Sequence, residues 1–316
     1  MQPEIKHKEE MMQDNIDFGT MNIPRLFRKM FIPTLLGMVL AATITIADGI
    51  FVGRGIGSDA LAAVNIVAPF FMLSTGIGLM FGVGASIVAS IHLSQHKIKV
   101  ACINITQALS VSLCLTLLLS AVVMVFRTDV AYLLGSSEAL LPLVLEYMNW
   151  IVPFLAFNML LSIGLFVIRL DGSPTFAMLC SAIPALINLV LDYVFVYPLD
   201  YGLAGAALAS VISVVIGSIM ILVYLLKYAN VLHLYRPKFT RKSIRLTVRN
   251  IGYMVKLGFS AFLSEAAIAC MLLVGNYVFI HYLGENGVAA YSVACYCFPI
   301  VFMINNAIAQ STQPII

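Results

Sequence analysis

The feature that most constrains this chain is a series of roughly eight apolar stretches, each about 20 residues long or more, joined by polar links. About 20 residues of α-helix cross the roughly 30 Å hydrocarbon core of a bilayer. Inside that core no water is available to the backbone, so each segment must satisfy its own N–H and C=O groups, as a helix does. The stretches fall at roughly 27–52, 61–91, 103–126, 141–168, 175–197, 204–226, 252–282 and 287–316. Composition agrees: 61% of the 316 residues are hydrophobic and 10% charged, far from the roughly 45–50% and 25% of a soluble domain. The fold class is therefore all-α and polytopic. The first 20 residues are polar and carry Glu4, Lys6, Lys8, Glu9, Glu10, Asp14 and Asp17. They lack the apolar stretch of a cleavable signal.

The basic residues give an orientation. All of the 18 lysines and arginines except Arg54 and Arg127 fall before the first span or after an even-numbered one. The positive-inside rule then puts the N-terminus in the cytoplasm, with the protein in a bacterial inner membrane. The densest run, from Lys227 to Lys256, predicts a basic cytoplasmic connector at about 227–250. Part of it is expected to lie on anionic lipid as an amphipathic helix.

The chain also repeats itself. Gly57 aligns with Gly284, Ala62-Ala63 with Ala289-Ala290 and Lys29 with Lys256, all at a shift of 227 residues. The intervening number of spans is even, so both copies enter the membrane from the same side as parallel repeats. The expected organisation is a cytoplasmic segment (1–26), a six-helix N-lobe (27–226), the connector (227–250) and the first two helices of a second lobe (251–316). Two full copies would need roughly 450 residues, so the sequence is expected to be a C-terminally truncated form.

Charged side chains within spans are costly and mark function. Asp48 in the first span, Asp192 in the fifth and Glu265 in the seventh are the candidates, whereas Glu146 reads as interfacial. Asn188 lies one helical turn before Asp192, on the same face. Asn158 and Ser210 come from the fourth and sixth spans. Two carboxylates, two amides and a hydroxyl at similar depth supply the oxygen atoms a hard cation such as Na⁺ prefers, with Asp48, Asn188 and Asp192 as its first ligands. The same set could hold a proton. Against this stands a purely structural role in interhelical hydrogen bonding, which fits Ser210 best.

Other features carry less. Gly78 and Gly82 are spaced for close helix packing. Pro33 either bends the first helix or starts it. The six cysteines, 102, 114, 180, 270, 295 and 297, read as small buried apolar residues. His92 and His96 read as solvated loop residues rather than a metal pair. The 16 methionines read mostly as lipid-facing or core residues, with some suited to lining an adaptable drug pocket. No phosphate-binding loop, metalloprotease or hydrolase motif and no nucleic-acid signature is present. The chain is read as no enzyme and as needing no cofactor beyond a coupling ion.

Four stretches resemble the multidrug and toxic compound extrusion (MATE) family. They are Asp48-Gly49-Ile50-Phe51-Val52-Gly53 with Gly57-Ser58-Asp59-Ala60-Leu61-Ala62-Ala63, Gly82-Val83-Gly84-Ala85-Ser86, Arg169-Leu170-Asp171-Gly172 leading into Asn188 to Asp192, and Gly205-Ala206-Ala207-Leu208-Ala209-Ser210. Gln313-Pro314 also fits. The resemblance covers nearly all of residues 22–316. It implies a 12-helix fold of two six-helix lobes, and export of organic cations in exchange for H⁺ or Na⁺ by a monomer among membrane lipids. It also implies a cation site at Asp48, Asn158, Asn188, Asp192 and Ser210, and a coupling acid at Glu265. A lipid-linked precursor flippase of the same broad superfamily is the alternative. The acids within the spans, where a phosphate carrier would place Lys or Arg, speak against it.

Overall fold

The computed structural model describes residues 21–235, 241–295 and 298–312, and every long helix follows an apolar stretch of the sequence. In chain order the helices are α1 (Ile23–Gly55), α2 (Ser58–Ser94), α3 (Ile98–Val125), the short α4 (Arg127–Leu133), α5 (Leu141–Ile151), α6 (Leu155–Leu170), α7 (Pro174–Val196), α8 (Gly202–Val223), α9 (Arg241–Cys295) and α10 (Phe298–Thr312). Among the described residues, seven segments are long and apolar enough to cross a membrane. The chain is an all-α, multi-pass membrane protein. Large apolar side chains such as Val125 (75% exposed) and Leu118 (64% exposed) lie on its outer surface, where lipid would cover them.

The fourth span is not one straight helix. Pro153 removes a backbone donor, and a 3₁₀ turn over Val152–Phe154 separates α5 from α6. Pro33 lies well inside α1, while Pro24 occupies its first turn, so Pro33 is not a helix-start residue. Part of the expected connector is helical. Residues 241–250 are the first turns of α9 and continue without interruption into its spanning part. The cysteines are corrected in part. Cys102 and Cys180 are buried, but Cys114 and Cys270 are exposed on spanning helices, where a small apolar residue faces lipid without cost. The readings placed on residues 1–20, Arg236, Lys238, Cys297 and Gln313-Pro314 lie outside the described residues, as does part of the eighth expected span.

The sequence repeat reappears in the backbone. Gly57, between α1 and α2, has φ 134° and ψ 177°. Gly284, its counterpart, breaks α9 with φ 64° and ψ −156°. Both lie in a region essentially closed to residues with a Cβ. Each therefore marks the same corner in its own repeat, where one span ends and the next begins. The packing respects the same exchange. α1 packs on α10, and α2 packs on the part of α9 before Gly284. Exchanging the repeats turns one of these pairs into the other, as an axis of near-twofold symmetry requires.

α2 is the centre of the bundle, and its glycines explain why. Gly78 and Gly82 meet Ser162 and Phe166 of α6. Gly76 and Gly84 point the other way, toward Glu265 and the Met254 backbone of α9. Positions two apart on a helix differ by about 200° in direction, so two small-residue stripes serve two neighbours. Gly258 in turn lies against the Met80 backbone, which leaves no room for a side chain at either contact. The buried apolar side chains form two main clusters. One gathers Ala60, Leu140 and Leu203 toward the end of the bundle that holds Arg54. The other gathers Ala101, Ile168 and Leu225 toward the end rich in basic residues.

Candidate functional site

The polar residues anticipated from the sequence fall into two groups. The first lies where α1 packs on α7 and α7 on α8. Asp48 of α1 and Asp192 of α7 come within hydrogen-bonding reach of each other. Asn188, a turn before Asp192, donates from Nδ2 to Ser210 Oγ of α8 over 3.4 Å. Tyr147 of α5 is near enough to both carboxylates to feel their charge. The sequence reading did not name it. Its neighbour Glu146 drew attention as the charged residue of that helix, while a tyrosine in an apolar run looks like packing.

Asp192 is completely buried, and neither of its carboxylate oxygens receives a hydrogen bond from an N–H or hydroxyl donor. Two negative carboxylates side by side in an apolar bundle repel each other, and the buried Asp192 has lost its water. They become compatible when one proton is shared between them or when a cation sits between them. The donor set fits either occupant. A proton needs only the two facing carboxylates. A Na⁺ ion needs more oxygens, and Asn188, one turn before Asp192 on the same helix, carries an amide oxygen. Its nitrogen is already engaged with Ser210, which turns the amide in a fixed direction. Among the described residues no group of three or more His, Cys, Asp or Glu side chains is placed to hold a metal ion.

The second group surrounds α2 one helical step away. Asn158 of α6 donates from Nδ2 to Thr75 Oγ1 over 3.1 Å. Glu265 of α9 rests against Gly76, the next residue of α2. Asn158 and Glu265 thus meet adjacent residues of α2 from two different neighbouring helices, and neither makes a hydrogen bond to Asp192. Thr75 is the second residue the sequence reading missed. A hydroxyl in a glycine-rich helix carries no signal until its partner is known.

Another buried carboxylate, Asp171 at the C-terminal cap of α6, is of a different kind. Its Oδ2 accepts from the Tyr224 hydroxyl at 2.8 Å and from the Asn230 backbone N–H at 2.7 Å. Its Oδ1 accepts from the Val231 and Leu232 N–H groups at 2.9 and 2.8 Å. Those donors belong to the π-helical turn Tyr224–Tyr228 after α8 and to the segment that follows it. Asp171 therefore ties the start of the connector to the end of α6.

The MatE family model matches residues 33–194, which holds α2 to α6, nearly all of α7 and most of α1. The chain belongs to the MatE family. The matched region contains Asp48, Asn158, Asn188 and Asp192, and excludes Ser210 and Glu265. Among curated relatives, the multidrug export protein MepA of Staphylococcus aureus (strain MSSA476) is 24% identical over 288 residues, covering 90% of this chain and 62% of that protein. MepA of Staphylococcus saprophyticus is similar to the same degree over 290 residues. The chain thus spans about three-fifths of the length of these MatE relatives.

Solved MATE structures share the fold. A MATE multidrug transporter, DinF-BH, solved as a complex, superposes with a TM-score of 0.86 at 24% identity, covering 96% of this chain and 67% of that one. An outward-facing multidrug resistance MATE transporter of the MOP superfamily gives 0.78 at 24% identity, covering 92% and 63%.

Proposed function

We propose that this chain forms the first lobe, and the opening helices of the second, of a secondary antiporter that exports organic cations in exchange for H⁺ or Na⁺. The observation that carries the reading is the Asp48–Asp192 pair. Two facing carboxylates, one fully buried without a donor, invite a small cation and nothing else among the described side chains supplies one. The relatives' printed name, multidrug export protein, supports small-molecule substrates. In this reading the chain performs no bond-making chemistry and needs no cofactor apart from the coupling ion.

The end rich in basic residues faces the cytoplasm, as does the N-terminus, in the inner membrane of a bacterium. Residues 27–226 act as the N-lobe, 227–250 as the connector and 251–316 as the start of the second lobe, in a monomer surrounded by lipid. Asp48 and Asp192 take up the ion from outside. Asn188 and Ser210 orient the site, while Asn158 and Glu265 act from the α2 side. Binding neutralises the pair, favours one arrangement of the lobes and releases the exported cation. Loss of the ion favours the other arrangement. Coupling requires only that ion and drug prefer different states or exclude each other.

The test uses the complete gene product in a pump-deficient bacterium. Everted vesicles are given a fluorescent organic cation and an outward-directed Na⁺ or H⁺ gradient from the lumen. Wild type should accumulate the dye, and whichever gradient drives uptake identifies the ion. Asp48→Asn and Asp192→Asn should each abolish gradient-driven uptake. Unchanged uptake in both variants would remove the N-lobe pair from the mechanism. Absence of uptake in wild type would favour the flippase.

A further inference from the structure

Arg169 is a cation held under unusual conditions. It lies in the last turn of α6 and is only 5% exposed. Its Nη1 donates to Gln310 Oε1 of α10 at 2.8 Å, and its guanidinium stands 5.7 Å from the centre of the Phe166 ring. Its Nε has no partner. Asp171, two residues on, is fully engaged by Tyr224 and three backbone N–H groups, so its charge is committed elsewhere. No carboxylate among the described residues pairs with Arg169. The position matters as much as the chemistry. α6 belongs to the first repeat and α10 to the second, and the bond joins them at the end of the bundle rich in basic residues.

Buried charges are ordinarily matched by an opposite charge and a full set of hydrogen bonds, because losing water is costly. Here one neutral amide and one aromatic face stand in for both. The closed contact is therefore held by a charge-assisted hydrogen bond and opposed by the dehydration of the same guanidinium. If the end opened, water would reach Arg169. The two effects have opposite signs, so the contact is opposed by the same charge that makes it.

We propose that Arg169 and Gln310 form a reversible latch between the repeats at the cytoplasmic end, with the sparsely paired guanidinium setting how readily it opens. This rests on the alternating-access reading above for its purpose, though the latch itself can be measured without transport. The latch makes an unusual prediction. Removing the neutral partner should open the end, whereas removing the charge should not.

The experiment labels the complete gene product in a background with its native cysteines replaced. Ser311, fully buried beside Gln310, is changed to Cys as a near-isosteric reporter. A membrane-impermeant maleimide is added to everted vesicles without drug or ion gradient. Gln310→Ala strands the buried cation and should speed labelling about tenfold or more. Gln310→Glu gives Arg169 a full counter-charge and should slow it by a similar factor. Arg169→Met removes bond and dehydration together and should label no faster than wild type. Adding Gln310→Ala to Arg169→Met should then change the rate by less than about twofold.

The proposal fails if Gln310→Ala labels at the wild-type rate, if Gln310→Glu labels faster, or if Arg169→Met matches Gln310→Ala. The last result would mean an ordinary packing contact whose loss loosens the end from either side. Since no transport is measured, this order of rates survives even if the protein exports nothing. Conversely, failure of the latch leaves the Asp48 and Asp192 test untouched.

Discussion

Asp171 and Asp192 are both buried aspartates, 6% and 0% exposed, in neighbouring stretches of one chain. Asp171 accepts four hydrogen bonds, from Tyr224 and from three backbone N–H groups. Asp192 accepts none from any N–H or hydroxyl and faces another carboxylate instead. The first is a finished structure: its charge is spent on donors that it satisfies in turn. The second lacks such donors, and in the proposed reading a coupling ion completes it. Burial alone therefore does not tell these two acids apart. The donor inventory around the carboxylate does.

The comparison can be broken most directly by removing Asp171. Asp171→Ala leaves three backbone N–H groups and the Tyr224 hydroxyl without this acceptor in a closed space. It should cost about 4 kcal/mol or more of stability, read as a collapse in the yield and melting temperature of detergent-purified protein. Normal melting of that variant would show that the connector finds other partners. Next in size is Asp192→Asn. It should lower ion-driven uptake by about a hundredfold or more, while leaving the melting temperature equal or higher, since it removes a repulsion rather than a bond. A large drop in melting temperature here would place Asp192 in the same class as Asp171.

Smaller changes sharpen the contrast. Asn188→Ala frees the Ser210 hydroxyl and removes an oxygen from the site. Uptake should need about tenfold more of the driving ion if that ion is Na⁺, and change by less than about threefold if it is H⁺. Titrating uptake against each ion reads this directly. Tyr224→Phe deletes one of the four bonds to Asp171 and nothing at the other site. It should cost about 1 kcal/mol of stability with ion dependence unchanged.

A second comparison concerns α2, whose two faces carry different glycine pairs. The spacing of Gly78 and Gly82 was legible as a packing stripe, and the structure finds α6 against it. The role of Gly76 and Gly84 was not legible. They are small because α9 lies against them, and nothing in α2 names that partner. The same holds across the site. Asp48, Asn188 and Asp192 stood out because charges and amides are rare in apolar runs. Tyr147 and Thr75 did not, because aromatic and hydroxyl side chains are common there and become informative only through what they touch.

What the sequence determined by itself were the properties that follow from the solvent and from local spacing. Long apolar runs must be helices in lipid, and a glycine at the same place in each repeat marks the same corner. Residue identity suffices for these because the bilayer and the φ of a glycine act on each segment separately. Only the tertiary structure decided which polar groups meet. Asp48 and Asp192 lie on helices far apart in sequence, Asn158 turned to Thr75, and Arg169 found Gln310 across the repeats. Hydrogen bonds and paired charges act over about 3 Å, and the rotation of each helix about its axis decides who is within that reach. That rotation is set by side-chain packing against all neighbours at once, which no single stretch of the chain encodes.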